Sequence, residues 1–300
     1  MRLVEKRVKF DFEIEFSNGG GIQGQDFRLD IAGDDIADKA LADYIVADLN
    51  LLMVGEVRIL NKEIITEKHK RKDDIDPFQK GTQCIDVSHT IRDGQITYKG
   101  LPAPIICDFL SREASRSHYA EGTEFHIGKI EMVANTGTYL DSPFHRYAEG
   151  KDMSQLPLSS LANLDGVVVR CRQRNGRIIS KDDFYDVEIW GKAVLIDTGW
   201  DVHWETDRYF GGHPYLTEDA AQYLVSAGAA LVGIDSLNID DTNDGRRPVH
   251  TALLGADIPI VEHLCHLERL PDDQFKFFAV PVKVEEMGTF PVRAFGLVEA

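Results

Sequence analysis

The sequence has few cysteines, and their wide spacing argues against the zinc sites and disulfide frameworks that clustered cysteines form. The four cysteines are Cys84, Cys107, Cys171 and Cys265, and no two of them form a C-x-x-C pair. Scattered cysteines argue against a zinc knuckle or a disulfide framework and suit a reducing compartment. We therefore predict that each cysteine is a small hydrophobic residue of the core.

Two further absences bear on where the chain acts and on its partners. The first residues lack the apolar stretch of a signal peptide, and no run is long and apolar enough to cross a bilayer. Basic residues are also in the minority, because 33 Lys and Arg face 50 Asp and Glu, a formal net charge of −17. This charge argues against nucleic acid or an anionic membrane as a partner. We therefore predict a cytoplasmic protein that binds neither.

A charge run with no apolar face separates two parts of the chain. It covers residues 67–74, and Pro77 and Gly81 follow it, which is typical of a linker. Before it, alternating apolar residues predict strands, and apolar residues at helical spacing predict a helix. The predicted strands lie at residues 8–16, 27–31, 56–60 and 64–66, and the predicted helix lies at 36–49. We predict a small α+β module of unknown role over residues 1–70, a linker over 71–82 and a larger domain over 83–300.

After the linker, the pattern is that of a mixed α/β domain. Short apolar runs that end at a polar residue are typical of interior strands. Thr217 and Gly228 bracket an amphipathic segment as an N-cap and a C′ residue, which predicts a helix between them. The predicted strands lie at residues 84–88, 125–134, 166–171, 193–197, 230–235, 277–284 and 290–298.

The segment from Asn135 to His145 carries the chemistry-bearing residues. Gly137 permits a tight turn after a strand, and Asp141 and His145 then flank Pro143 in a loop. Acid and imidazole groups on a rigid loop often form a site. By themselves, the two residues are explained as well by a capped turn and a surface histidine.

This segment resembles the H-x-G-T-H-x-D-x-P-x-H signature of the cyclase family of metal-dependent hydrolases, which includes bacterial kynurenine formamidase and isatin hydrolase. The matching residues are Gly137, Thr138, Asp141, Pro143 and His145. Further segments resemble the family's other motifs in order, at residues 84–89, 233–236, 250–254, 260–264 and 291–294. The resemblance spans nearly all of 84–298 and implies the mixed-sheet β/β/α fold of the kynurenine formamidase-like domain.

The resemblance also implies roles for individual residues. The signature's aspartate, a metal ligand in the family, is Asp141, and its last histidine, a general acid/base, is His145. The downstream pair that completes the site or holds a second metal is His250 and Glu262.

Two positions depart from the signature, because Asn135 and Tyr139 stand where the family has histidines. An amide oxygen is a hard and weak ligand, whereas imidazole is a favoured zinc ligand. A phenol with a pKa near ~10 binds metal well only after losing its proton. A tight two-zinc site is therefore not expected here.

Three arrangements stay open. In the first, Asp141, His250 and Glu262 hold one divalent ion, Zn or Mn, that activates water. In the second, the site is metal-free, with His145 as the base, Tyr139 as a donor to an oxyanion and either Asp141 or Glu262 as the orienting carboxylate. In the third, the site is inactive and the protein binds a ligand or serves as a scaffold.

Other residues have two interpretations each. Asn135, Trp200 and His213 are candidate substrate contacts, although a loop histidine or aromatic near a strand end is also commonly structural. Arg246 and Arg247 either reach a substrate carboxylate or face solvent. The acidic residues Asp240, Asp241 and Asp244 are predicted to form a solvated loop.

The resemblance implies a hydrolase that cleaves a C–N bond of a formamide or cyclic amide, or a C–O bond of a lactone, in a small carbonyl substrate. Arylformamidase activity in tryptophan catabolism, through kynurenine, is the best-known activity of this kind. A metal-independent lyase or isomerase and a non-catalytic binding protein are the alternatives. The resemblance also implies a homo-oligomer, a dimer or a tetramer.

Overall fold

The computed structural model describes residues 6–31, 33–49, 51–66, 81–173 and 176–299. The chain divides into two compact units, Met1–Gln79 and Lys80–Ala300. Residues 71–80, most of the predicted linker, lie outside the described residues. Among the described helices, none has the length and apolar character that crossing a membrane requires.

In its described residues, the first unit is a three-stranded antiparallel sheet with one helix. Its elements are β1 (Lys6–Phe16), β2 (Gly21–Ile31), α1 (Asp38–Asp48) and β3 (Val54–Thr66), and β1 lies in the middle of the sheet. Alternate residues of β1, such as Phe10 and Ile14, are buried in one cluster with Leu41 and Ile45 of α1. The predicted small α+β module is confirmed, with β3 as one strand where the sequence predicted two.

The described part of the second unit contains the remaining strands and three helices. Its elements are β4 (Thr82–Asp86), β5 (Ile105–Leu110), α2 (Arg112–Ser115), β6 (Ile127–Glu131), β7 (Tyr139–Asp141), β8 (Leu164–Arg170), β9 (Ile178–Ile179), β10 (Ala193–Asp197), β11 (Tyr215–Leu216), α3 (Glu218–Ser226), β12 (Leu231–Ile234), α4 (Pro248–Gly255), β13 (Ile260–Glu262), β14 (Phe275–Phe278), β15 (Thr289–Pro291) and β16 (Phe295–Glu299). Short 3₁₀ turns connect several of them.

Nine of these strands form one mixed sheet, in the order β15-β7-β13-β12-β10-β8-β14-β16-β4. The four middle strands β13, β12, β10 and β8 run parallel, and the outer pairings are antiparallel. Of the other strands, β5 and β6 pair as an antiparallel ribbon, and β9 and β11 pair in parallel. The predicted mixed-sheet α/β domain is confirmed.

The middle strands are buried on both faces, which explains their continuous apolar sequences. In β10, Val194 and Ile196 lie in the same core cluster as Leu224 of α3 and Leu253 of α4. Leu195 of the same strand points to the opposite face, into a second core cluster. Each fully buried side chain of this kind stabilises the fold by about 1.5–3 kcal/mol.

The helix α3 is confirmed, together with both of its predicted ends. The Thr217 hydroxyl accepts a hydrogen bond from the backbone N–H of Ala220, and Gly228 has φ +75°. The strand predicted at residues 277–284 ends at Phe278 instead. Pro281 lies in the remainder and has no N–H to donate to a ladder.

The prediction for the cysteines is correct for two of them. Cys171 and Cys265 are buried, whereas Cys84 and Cys107 are exposed. Cys84 precedes the buried Ile85 in β4 and so points to the opposite, exposed face of that strand, whereas Cys107 lies in β5, most of whose side chains are exposed. Their exposure therefore follows from the strand faces that carry them.

Candidate active site

A cavity of about 280 Å³ lies in the second unit, and most of the predicted site residues line it. Asp141, His145, His250 and Glu262, which are far apart in the sequence, all contribute to its wall. The other lining residues are Tyr98, Leu101, Asn135, Tyr139, Arg146, Asn238 and Arg247. The volume suits a small molecule.

The register of β7 places two pairs of side chains opposite each other. Because β7 pairs with β13, Tyr139 lies opposite Glu262, and the phenol donates a hydrogen bond to Glu262 Oε2 over 2.6 Å. Because β7 also pairs with β15, Asp141 lies opposite Thr289. The Thr289 hydroxyl contacts Asp141 Oδ1 and lies 2.8 Å from Nδ1 of His145. One three-residue strand thus connects both carboxylates and His145.

The loop after β7 is fixed by close backbone packing. Pro143 begins a 3₁₀ turn that ends at His145, and the backbone N–H of Ser142 donates to the carbonyl of Gly288 over 2.8 Å. A Cβ atom on Gly288 would lie 2.6 Å from Cα of His145, so only glycine fits there. The backbone at Gly288 therefore sets the position of His145.

His250 is held by a buried carboxylate behind it. Its Nδ1 lies 2.6 Å from Oδ2 of Asp240, whose carboxylate also accepts from the backbone N–H groups of Val249 and His250 at the start of α4. With Nδ1 used in this way, Nε2 faces the cavity, 3.6 Å from Oδ2 of Asp141 and 3.7 Å from Oε1 of Glu262. The predicted solvated loop is therefore wrong for Asp240, which is fully buried.

Glu262 is likewise held by three hydrogen bonds. Besides Tyr139, it accepts from the backbone N–H of Ile239 over 2.6 Å and from the side-chain amide of Asn238 over 3.3 Å. Burial nevertheless raises the pKa of Glu262 to about 7, assisted by the charge of Asp141 and opposed by His250.

Burial and close charged neighbours also shift the pKa values of the other titratable groups of the site. Although burial favours the neutral imidazole, the neighbouring carboxylates of Asp141 and Asp240 raise the pKa of His250 to about 10. Burial would raise the pKa of Asp141, but the neighbouring imidazoles of His250 and His145 lower it. Burial and the neighbouring Glu262 hold the pKa of Tyr139 well above its usual value, so the phenol keeps its proton. Tyr139 is therefore a hydrogen-bond donor here.

The donor set fits one divalent cation. Oδ2 of Asp141 is buried and has no hydrogen-bond partner among the described residues. Asp141, His145 and His250 each offer a ligand atom, and these atoms lie within 4.8 Å of one another. Ligands at 2.0–2.1 Å from one tetrahedral ion lie about 3.4 Å apart, close to the separations around His250 Nε2. A cation there would satisfy the unpartnered oxygen and two crowded carboxylates.

Two predicted substrate contacts lie away from this cavity. The Trp200 indole donates to the carbonyl of Tyr209 over 3.0 Å, and the ring stays in the aromatic packing around it. His213 is buried, with Nε2 3.1 Å from the carbonyl oxygen of Asp240. Both are explained by their structural contacts, and among the three predicted substrate contacts only Asn135 lines the cavity.

The family assignment rests on the sequence match. Residues 85–241 match the model of a family described as putative cyclase. The chain belongs to the cyclase family. A kynurenine formamidase from Bacillus cereus is 26% identical over 216 residues, which cover 72% of this chain and 97% of the relative. A kynurenine formamidase from Geobacillus thermodenitrificans is 30% identical over 182 residues, covering 60% and 84%.

Solved structures show the same cyclase-family fold. An isatin hydrolase bound to the product analogue thioisatinate superposes with a TM-score of 0.62 at 20% identity, covering 73% of this chain and 94% of the other. A predicted metal-dependent hydrolase from Bacillus stearothermophilus gives 0.58 at 27% identity, covering 72% and 98%. The coverage of this chain agrees with a resemblance that begins near residue 84.

The sequence analysis missed the lining residues Tyr98, Leu101 and Arg146, and it missed two residues that hold catalytic side chains in place. Asp240 lies ten residues before its partner His250, in a loop rich in acidic residues, and its local sequence does not distinguish it from Asp241 and Asp244. Thr289 lies 148 residues from Asp141, and nothing in the sequence near it marks the pairing of β15 with β7.

Proposed function

We propose that the chain is a cyclase-family hydrolase that cleaves a C–N bond of a formamide or cyclic amide, or a C–O bond of a lactone, in a small carbonyl compound. The convergence of Asp141, His145, His250 and Glu262 on one cavity carries this proposal. The relatives named kynurenine formamidase support an arylformamidase-like activity, and with it a place in tryptophan catabolism.

We further propose that Asp141, His250 and Glu262 hold one divalent ion, zinc or manganese, and that His145, the third residue of the cluster around Asp141, stays free for proton transfer because Thr289 holds its Nδ1 atom. Such an ion, when bound, lowers the pKa of water to about 7 and polarises a carbonyl group. Asp240 keeps the Nε2 atom of His250 turned towards the site, and Tyr139 keeps the carboxylate of Glu262 in place. The phenol is thus a positioning group in this proposal.

His145 is the proposed general acid/base. Its Nδ1 atom is held by Thr289, so Nε2 is left for the reacting groups, and its side chain is 36% exposed at the cavity. As water adds to the substrate carbonyl carbon, Nε2 accepts its proton. The same proton then passes to the leaving nitrogen or oxygen as the C–N or C–O bond breaks.

Metal analysis and chelation test the hydrolytic proposal. The full chain is purified without added metal, its metal content is measured, and hydrolysis of an N-formyl aromatic amine is followed before and after chelation. We expect about one equivalent of metal and turnover that chelation abolishes and metal restores. Turnover that ignores chelation would favour the metal-independent lyase or isomerase, and no turnover of any formamide, cyclic amide or lactone would favour a binding protein.

The role of His145 is tested by His145→Ala. Loss of the proton carrier should lower kcat by about 10²–10⁴-fold, with metal content retained. His118→Ala, on the surface, is the matched control and should leave kcat unchanged. Wild-type turnover by His145→Ala would show that another group moves the proton.

We also propose that the protein is a cytoplasmic homo-oligomer. The β5–β6 ribbon supports assembly of two copies, because nearly all of its side chains are exposed, including those of Ile105, Phe109, Ile127 and Ile130. A two-stranded ribbon is marginally stable alone in water, so a second copy would cover it. Phe109→Ser should shift the mass measured by light scattering towards the monomer, and an unchanged mass would remove the ribbon from the interface.

A further inference from the structure

Two arginine side chains line the active-site cavity without a carboxylate partner among the described residues. Arg146 follows His145 in the chain, and Arg247 precedes the helix that carries His250. Neither forms an ion pair with any residue that the structure describes, whereas Arg246 beside them does. Both therefore present a positive charge to whatever occupies the cavity.

Each guanidinium is held in place by a neutral contact. Nε of Arg146 donates to the Thr251 hydroxyl over 3.3 Å, and its guanidinium lies 5.4 Å from the centre of the Tyr147 ring. One terminal nitrogen of Arg247 donates to the carbonyl of Asp241 over 3.0 Å. These contacts orient the groups and leave the other nitrogens available for hydrogen bonds to a ligand.

The neighbouring Arg246 shows what a surface arginine does in the same loop. Its guanidinium forms an ion pair with Asp244 over 2.8 Å, and it does not line the cavity. Arg247 instead has φ +51° and ψ +60°, a left-handed conformation that costs a non-glycine residue about 1–2 kcal/mol. This backbone geometry brings the Arg247 side chain to the cavity, while Arg246 stays in solvent.

The negative charge of the cavity wall explains why an anionic ligand would need the two guanidinium groups. Asp141 and Glu262 form part of its wall, and the chain carries a net charge of −17. An anionic ligand would be repelled by both unless cations at the cavity compensate. Guanidinium groups bind carboxylates through paired N–H donors, which matches the available donors of Arg146 and Arg247.

We propose that Arg146 and Arg247 bind a carboxylate of the substrate. The substrate class is then a small formamide, cyclic amide or lactone that carries a separate carboxylate group. Tyr98 and Leu101 of the same cavity provide an apolar wall for its carbon skeleton. This inference rests on the proposed hydrolytic function and adds the charge that the site selects.

A binding measurement with two matched compounds tests the inference. N-formylanthranilate carries a carboxylate beside the formamide, and formanilide has the same ring and formamide without it. Binding of each to the His145→Ala chain, loaded with metal, is measured by calorimetry at low ionic strength. We expect N-formylanthranilate to bind on the order of 10- to 100-fold more tightly, since hydrogen bonds between charged groups have that effect.

Substitutions identify the groups responsible. Arg247→Gln and Arg146→Gln, each added to His145→Ala, should reduce the preference, and the double substitution should abolish it. Arg246→Gln is the matched control and should leave the preference unchanged. Equal affinities for the two compounds, no binding of either, or a preference that survives the double substitution would overturn the inference.

Turnover separates this inference from the proposed function. If the unmodified chain hydrolyses formanilide and N-formylanthranilate with equal kcat/KM, the hydrolase proposal stands and the arginine inference fails. If the chain selects the carboxylate compound in binding but hydrolyses neither, the inference stands and the proposed hydrolysis fails.

Discussion

Tyr139 occupies a metal-ligand position of the family signature but acts as a hydrogen-bond donor. The phenol occupies a place where the family signature has histidine, but its hydroxyl donates to Glu262 and keeps its proton. The position no longer offers a metal ligand, and it supports one carboxylate of the site instead. A site with fewer ligands can therefore keep a fixed geometry.

Removing the hydroxyl tests this change of role. Tyr139→Phe should lower the free energy of unfolding by about 1–3 kcal/mol, because Glu262 loses a buried donor. It should also lower kcat, because the carboxylate is less firmly placed. Denaturant unfolding and steady-state kinetics measure the two effects, with the exposed Tyr185→Phe as control. An unchanged kcat would mean that Asn238 and Ile239 hold Glu262 sufficiently.

Asp240 is the second residue whose contact decides the site. Asp240→Asn removes the charged acceptor of His250 Nδ1 and should lower activity or metal affinity by about 10–100-fold, as loss of a hydrogen-bond partner behind a metal-binding histidine does. Asp241→Asn, one residue along the same loop, should have little effect, because the hydrogen bonds described for its carboxylate come from Asn243 and none comes from His250. Kinetics and metal titration of both variants measure the difference, and equal losses would refute the assignment.

The residues of the signature loop could be predicted from the sequence, and their supports could not. Asp141 and His145 stand in a spacing that the family motif fixes. Asp240 and Thr289 act through distances set by the folded chain, and their local sequence is that of an ordinary loop. For Trp200 and His213 the residue types suggested contact with a ligand, but the structure places both side chains in packing away from the cavity.

Among the secondary-structure elements, β7 matters most to the site. It has only three residues, yet it pairs with β13 on one side and β15 on the other. Both partners are antiparallel to it, so their registers decide which side chains face Tyr139 and Asp141. Gly288, just before β15, also contacts the turn that carries His145.

Gly288→Ala tests how strictly that contact is required. The new Cβ would lie 2.6 Å from Cα of His145, so the turn or β15 must move. We expect a loss of stability of about 1–3 kcal/mol from overpacking and a lower kcat. Gly211→Ala is the control, since nothing lies within 4 Å of its Cβ position. Thermal unfolding and kinetics compare the two, and equal behaviour would show that the turn adapts.

The sequence predicted elements best where local signals agree. Thr217 and Gly228 bracket α3 with caps at both ends, and the middle strands are continuous apolar runs. The C-terminal segment could not be predicted in this way, because prolines interrupt it and its pairing depends on remote strands. The result is two short strands, β15 and β16, in place of one.

At the scale of the whole molecule, the site belongs to one unit. Every residue that lines the cavity lies between Tyr98 and Glu262, within the unit Lys80–Ala300, which has its own two core clusters. The described residues of the small α+β module contribute no side chain to this lining. We propose that its role is separate from the chemical step.

Deleting the first unit tests that separation. A chain of residues 80–300 should fold, because this unit has its own core clusters, and it should keep kcat within about threefold of the full chain, because it supplies every residue of the cavity lining. A threefold change in kcat corresponds to under 1 kcal/mol of activation free energy. Circular dichroism, kinetics and light scattering measure folding, activity and assembly. Loss of turnover in a chain that remains folded would show that the module takes part in the reaction, and loss of folding would show that the second unit depends on it.

The antiparallel pairing around β7 also has a consequence for how the enzyme comes into being. The hydrogen bond from Tyr139 to Glu262 spans 123 residues, and the contact from Thr289 to Asp141 spans 148. Contacts this remote form slowly, because the intervening chain must first be ordered. During synthesis, β7 leaves the ribosome long before either neighbour exists. The catalytic centre is therefore among the last parts of the molecule to assemble.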